Sequence, residues 1–256
     1  MSAELQRLGV NIDHIATLRQ LRGTPYPDIL EAALICERAG ATQITVHLRE
    51  DRRHIQDDDV KKLRAGIKSS LNLEMAASDA MVKFAKRIGP DWCCLVPEKR
   101  QELTTEGGLA LEKNAKRIAL CVTALKKAGI RVSLFIEPGL KAVRMSRRLG
   151  ADAVELHTGR YCLATQGGFG KRSGAVAAKE LKRIRDAGIL GRKLGIHVHA
   201  GHGFDFENVR PAAALMDDKK KTLIEEFNIG HAIVCRAAIV GLERAVREMY
   251  SAIVAP

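Results

Sequence analysis

Aromatic residues are scarce in this chain of 256 residues, with six Phe, three Tyr and one Trp. A protein that holds single-stranded nucleic acid by stacking bases on aromatic faces needs more of them. Long hydrophobic runs are missing too. No apolar stretch approaches the roughly 18 residues of a membrane-spanning helix, and no basic-then-apolar signal sequence opens the chain, so no membrane partner and a cytoplasmic location are expected. The six cysteines (Cys36, Cys93, Cys94, Cys121, Cys162 and Cys235) form no CxxC pair and no zinc-like spacing. Most sit inside apolar runs and read as reduced core residues.

Charge is abundant but uneven: 42 Lys and Arg stand against 30 Asp and Glu, a net +12. Such an excess suits nucleic acid, an anionic membrane or anionic small substrates. Pairs such as Lys61-Lys62, Lys126-Lys127 and Arg147-Arg148 lie on helix faces, where a solvated surface accounts for them. With the aromatics so few, small anionic substrates are the partner expected, and no nucleic acid. The hydrophobic share of 46% and charged share of 28% exclude a disordered chain.

Eight apolar, β-branched runs recur along the chain, at 8–12, 43–48, 71–76, 92–96, 131–136, 153–158, 194–200 and 227–234. Between and after them lie segments of helical period at 28–39, 57–69, 79–87, 109–128, 140–149, 174–187, 206–215 and 237–253. In 109–128, for example, Leu111, Ala115, Ile118, Val122 and Leu125 share one stripe. A glycine closes many of these segments, at Gly40, Gly89, Gly129, Gly150 and Gly188, as a left-handed C-cap would. Eight strand-then-helix units in this length predict one (β/α)8 TIM barrel over 1–256, since a doubly wound sheet usually stops nearer five or six strands. The stretch 216–222, MDDKKKT, reads as a charged surface loop.

A barrel places its reactive groups at the carboxyl ends of its strands. The runs end in such groups repeatedly: Asn11, Asp13 and His14; His47 and Arg49; Glu74; Glu98; Glu137; Glu155 and His157; His199, His202 and Gly203; Gly230 and His231. Glu74 stands in an otherwise apolar strand, where an unpaired carboxylate is costly. It is either a salt-bridge partner of Arg22 or Arg49 or a general base with a raised pKa. Glu155 has the same form and can also serve to orient a neighbour. His47, followed by Arg49 and His54, suits proton transfer beside phosphate-binding cations. Arg52 and Arg53 read as surface partners of Glu50 or Asp51. Gly-His pairs follow strands 7 and 8, where barrels often bind phosphate through glycine amides and a helix N-terminus. His197, His199 and His202 have no carboxylate at ligand-like spacing, and strand alternation splits them, so no metal site is expected. The segments 97–108 and 159–174 are longer than a barrel needs and read as lid loops. GGFGKRSG within the second is only a weak phosphate-loop signal, lacking the Walker spacing.

Eight of these stretches stand in a fixed order: GVNIDHIATLR, TVHLREDRRHI, NLEMA, CCLVPEKRQELTTEGG, SLFIEP, ELHTG, AGHG and NIGHAI. In them the chain closely resembles the pyridoxine 5'-phosphate synthase family of the deoxyxylulose-dependent route to vitamin B6. The resemblance implies a barrel with three additional helices, no metal and no cofactor. It implies the joining of 3-amino-2-oxopropyl phosphate to 1-deoxy-D-xylulose 5-phosphate, releasing phosphate and water. On the matching positions it implies His47 and Glu74 as general bases, His202 as general acid and Glu155 as a transition-state stabiliser. Asn11, Gly203, Gly230 and His231 would hold the aminoketone phosphate; Asp13, His14, Arg22, Arg49, His54 and Thr104 would hold the deoxyxylulose phosphate. A homo-octamer built from dimers is also implied. The chain departs from the family at His199, where Asn precedes AGHG, in the glycine content of 159–173 and in the inserted 216–222. A phosphosugar isomerase or aldolase on the same barrel is the alternative, although a Schiff-base aldolase needs a strand-end lysine that no apolar run supplies.

Overall fold

The computed structural model describes residues 6–104, 107–166 and 173–255. Eight parallel strands close in sequence order: β1 (Arg7–Asn11), β2 (Gln43–His47), β3 (Ser70–Met75), β4 (Trp92–Leu95), β5 (Arg131–Ile136), β6 (Ala153–His157), β7 (His197–Gly201) and β8 (Glu226–Ile229), the last pairing with the first. The expected TIM barrel is the fold. Around it run α1 (Asp13–Arg22), α2 (Ile29–Arg38), α3 (Asp57–Gly66), α4 (Asp79–Ile88), α5 (Leu111–Lys127), α6 (Leu140–Arg148), α7 (Gly159–Thr165), α8 (Gly174–Lys193), α9 (Val209–Ala213), α10 (His231–Val240) and α11 (Leu242–Val254). Among the described residues the units after β1, β6 and β8 each carry two helices, which makes the three additional ones. No described helix is long and apolar enough to cross a membrane.

The strands are buried on both faces, but the two faces differ in chemistry. Leu8, Val10, Ile44, Val46, Leu71 and Leu73 join the apolar layer beneath the helices. The alternate positions point into the barrel, as contacts between non-neighbouring strands demonstrate. Asn228 of β8 reaches Glu155 of β6 at 2.9 Å, and the rings of Trp92 (β4) and His199 (β7) lie 5.2 Å apart. Gln43 of β2 donates to Glu226 at 2.7 Å and to Asn228 at 3.1 Å on β8. This polar interior is affordable only because most of its groups are hydrogen-bonded to one another. His199 stands among them, although its buried Nε2 has no hydrogen-bond partner. Its neighbours are Glu226, 3.5 Å from Nδ1, and Trp92, so it belongs to the barrel interior.

Several boundaries differ from the sequence reading for local reasons. The eighth strand stops at Ile229 because α10 starts directly after Gly230, and the helical stretch expected at 237–253 is two helices broken at Gly241. Gly40, Gly89, Gly129 and Gly150 do adopt the left-handed conformation. Gly188 instead lies buried inside α8, which continues to Lys193 before Gly195 turns the chain. The first part of the expected lid loop at 159–174 is helix α7, and its residues 167–172, with most of GGFGKRSG, lie outside the described residues. Arg53 pairs with Asp51 at 2.6 Å, whereas Arg52 pairs with Asp57 at 2.6 Å. Five cysteines are buried and free, and Cys235 is exposed. The 216–222 stretch is a surface turn, with Met216 and Thr222 bridged and the Asp217 carboxylate accepting from the amides of Lys219 and Lys221.

Candidate active site

A cavity of about 590 Å³ opens at the carboxyl ends of the strands. Of the fourteen residues to which the family resemblance gives a catalytic or binding role, Asn11, Asp13, His14, His47, Arg49, Glu74, Glu155, His202, Gly203, Gly230 and His231 line it. Three do not. Arg22 is exposed at the end of α1, His54 stands with its ring 6.3 Å from that of His47, and Thr104 accepts from the amide of Gly107, which does line the cavity. Phe135, Phe204 and Leu103 contribute apolar lining.

One side of the cavity is built by β1, β2 and β3. The Asp13 carboxylate accepts from the Asn11 side chain at 2.9 Å and from the His47 backbone N–H at 2.8 Å. Burial pushes Asp13 up to about 6, against the pull of these hydrogen bonds and of the His47 and Arg49 charges. His47 turns its Nε2 to Glu98 at 3.0 Å and its Nδ1 towards Glu74 at 3.9 Å. Burial drives Glu74 well above the ordinary carboxylate range, and the negative charges of Glu155 and Asp13 push the same way. The salt bridge from Glu74 to Arg22 or Arg49 does not form among the described residues. Asp13, His47 and Glu74 bring three potential ligand atoms within 4.8 Å of one another, a cluster that the sequence spacing did not reveal.

The opposite side comes from β6 and β7. Burial lifts Glu155 to about 8, aided by the charge of Glu226 and opposed by hydrogen bonds from Asn228 and Cys94. His202 sits in the left-handed region, with φ of 72°. Thr158 braces it there, donating its hydroxyl to the carbonyls of Gly201 at 2.9 Å and His202 at 2.7 Å. Behind His202 stands His157, ring centroids 4.9 Å apart, its Nδ1 2.9 Å from Glu137. Burial lowers the His202 pKa, and the neighbouring His157 lowers it further. A Cβ on Gly159 would stand 2.7 Å from the His157 ring, which explains a glycine directly after His157 and Thr158.

The remaining features suit anions. The His14 and His231 rings lie 4.8 Å apart, tilted by 57°, and burial with the His231 charge lowers the His14 pKa. Gly230, His231 and Ala232 present the uncapped N-terminus of α10 to the cavity, leaving its first amides free for an acceptor. The Nε of Arg49 is buried without a hydrogen bond, its nearest carboxylate oxygen (Asp51) being 3.7 Å away. His54 falls to about 4 because it is buried beside the positive charges of His47, Arg49 and His14. Glu98, Glu137 and His157 were marked in the sequence as strand-end groups but given no role, and Asn228, inside an apolar run, was not marked at all.

Fold and cavity define a TIM-barrel enzyme whose carboxyl and imidazole groups face each other in a pocket shaped for anions. The chain belongs to the family described as pyridoxal phosphate biosynthesis protein PdxJ, whose profile matches residues 8–255. It is 53% identical over 252 residues to a protein of Trichlorobacter lovleyi named pyridoxine 5'-phosphate synthase, covering 98% of this chain and 100% of the relative. A protein of that name from Geobacter sulfurreducens is 52% identical, with 96% and 97% covered. Among solved structures, a 3-keto-L-gulonate-6-phosphate decarboxylase of Vibrio cholerae superposes with a TM-score of 0.61 at 14% identity, over 96% of this chain and 98% of that one. At that identity the likeness is one of fold.

Proposed function

We propose that the protein is a pyridoxine 5'-phosphate synthase, joining 3-amino-2-oxopropyl phosphate to 1-deoxy-D-xylulose 5-phosphate with release of phosphate and water. It is a ring-closing enzyme of the transferase class that uses only its own side chains. The observation that carries this reading is the meeting of His47 with Glu74, 3.9 Å apart, across from Glu155 in one cavity. Condensation, dehydration and ring closure need repeated proton transfers, and imidazole and carboxyl side chains gathered at one cavity are the acids and bases such transfers use. In this reading His47 and Glu74 remove protons, His202 donates one, and Glu155 stabilises charge as it develops. The α10 N-terminus with Asn11, Gly203 and His231 takes one phosphorylated substrate. Asp13, His14 and Arg49, with Arg22, His54 and Thr104 at the margin, take the other. A homo-octamer, a tetramer of dimers, working in the cytoplasm completes the reading.

The test is direct. The purified protein, given both substrates in the presence of a chelator, forms pyridoxine 5'-phosphate and inorganic phosphate. A folded preparation that releases neither overturns the assignment, and sedimentation at octamer mass tests the assembly.

A further inference from the structure

We infer that Glu98 is the positioning residue of His47: it holds the imidazole in one orientation and one tautomer, so that Nδ1 faces the cavity as the proton acceptor. This rests on the reading of His47 as a base. The geometry starts from the loop after β4. There the amides of Glu98 and Lys99 donate to the Glu102 carboxylate at 3.0 and 3.2 Å, closing a short turn over Arg100–Glu102. The turn aims the Glu98 side chain inward, leaving it only 5% exposed. Both of its oxygens are then used. Oε1 meets His47 Nε2 at 3.0 Å, and Oε2 accepts from the Glu50 backbone N–H at 2.9 Å.

An ionised carboxylate can only accept a hydrogen bond, so the short contact requires the proton on Nε2. The ionised form is favoured here. Burial raises the Glu98 pKa, but the His47 and Glu50 hydrogen bonds and the His47 and Arg49 charges outweigh it and bring it below its ordinary value. With Nε2–H committed to Glu98, neutral His47 carries its lone pair on Nδ1. That nitrogen lies 3.9 Å from Glu74, too far for a direct hydrogen bond. Glu98 itself is not part of the cavity lining, whereas His47 and Glu74 are. The order is therefore carboxylate, imidazole, open space, the arrangement in which a buried acid orients a base without touching substrate.

The experiment reads the His47 ring by nitrogen-15 NMR in the full-length protein, alongside turnover. In wild type a protonated Nε2 and a bare Nδ1 are expected. In Glu98→Gln the amide can donate as well as accept, so the two tautomers should mix. The same variant should lose about tenfold to a hundredfold in kcat, part of the ~10²–10⁴ that a positioned base contributes, with KM within about threefold. Lys99→Ala is the control. It removes the 2.9 Å pair with Glu50 that ties the same two loops, and it should leave both tautomer and kcat unchanged. An unchanged His47 tautomer in Glu98→Gln, or a kcat within twofold of wild type while His47→Ala is inactive, overturns the inference. Full activity in His47→Ala instead overturns the assignment of His47 as base, and the tautomer measurement still decides whether Glu98 orients it.

Discussion

Asn228 on β8 donates its side-chain amide to Oε2 of Glu155 on β6 at 2.9 Å, across the inside of the barrel. The same Asn228 accepts at Oδ1 from Gln43 and from Thr45, both at 3.1 Å. Gln43 in turn donates to Glu226, which Arg7 also engages. A carboxyl in the active cavity is thus the upper end of a buried hydrogen-bonded column. The column fixes where Glu155 points, while burial makes its charged form expensive.

That expense makes stability depend on pH. With its pKa raised from 4.5 to about 8, Glu155 stays protonated in the folded protein over a range where the unfolded chain has released the proton. The folded state binds more protons there, so its contribution to stability is complete below about 4.5 and is lost as pH rises through about 8. Glu155→Gln removes this dependence. Between pH 5 and 8, wild-type unfolding free energy should fall by on the order of a few kcal/mol more than that of the variant. Parallel curves in urea titrations would show that Glu155 ionises freely in the fold.

His47→Ala and Glu74→Gln should each lower kcat by at least about a hundredfold, the lower end of what a positioned acid or base contributes. Neither change removes the α10 N-terminus or Arg49, so binding of a phosphorylated substrate analogue, measured by calorimetry, should weaken by less than about tenfold. A variant with near wild-type turnover loses its assigned role.

Gly159→Ala offers a change of sign. In an open helical position alanine stabilises by ~0.5–1 kcal/mol relative to glycine. Here the new Cβ would press on the His157 ring at 2.7 Å and lie 3.5 Å from Cδ2 of His202. The variant should melt lower than wild type and lose turnover more than tenfold, as expected when a misplaced group costs up to ~10²-fold. A higher melting temperature with full activity would show that His157 moves aside freely.

Arg19 of α1 binds Asp59 of α3 in a two-pronged pair, both contacts at 2.7 Å, and also reaches the His54 carbonyl. Asp59 is almost fully buried and accepts from the Gln56 amide as well. Asp59→Ala strands the guanidinium and uncaps α3. It should cost about 3 kcal/mol by urea unfolding, the scale for breaking a buried pair. A loss below about half a kcal/mol would place the pair with ordinary surface bridges.

Much of this was legible in the sequence because it depends on short-range order. Apolar β-branched runs, helical periodicity and glycine stops are local signals, and each strand-to-helix unit repeats them. Where those signals failed, a longer contact had taken over. Gly188 reads as a stop, yet it is kept inside α8 against Leu223, 3.2 Å from where its Cβ would be. Gly241, which has no such mark in the sequence, breaks the last helix at a φ of 86°.

The sequence by itself determined the barrel, the eight strand ends and the collection of imidazoles and carboxylates placed on them, since alternation along a strand sends every second side chain inward. Only the tertiary structure decided which of those groups meet. Glu74 lies beside His47, not on Arg22 or Arg49; Glu98 backs His47, Glu137 backs His157, and His199 turns to Glu226. These pairings join residues from different strands through the closure and register of the barrel. The electrostatics follow from the same closure, because a carboxyl becomes a proton carrier near neutral pH only when its neighbours exclude water from it.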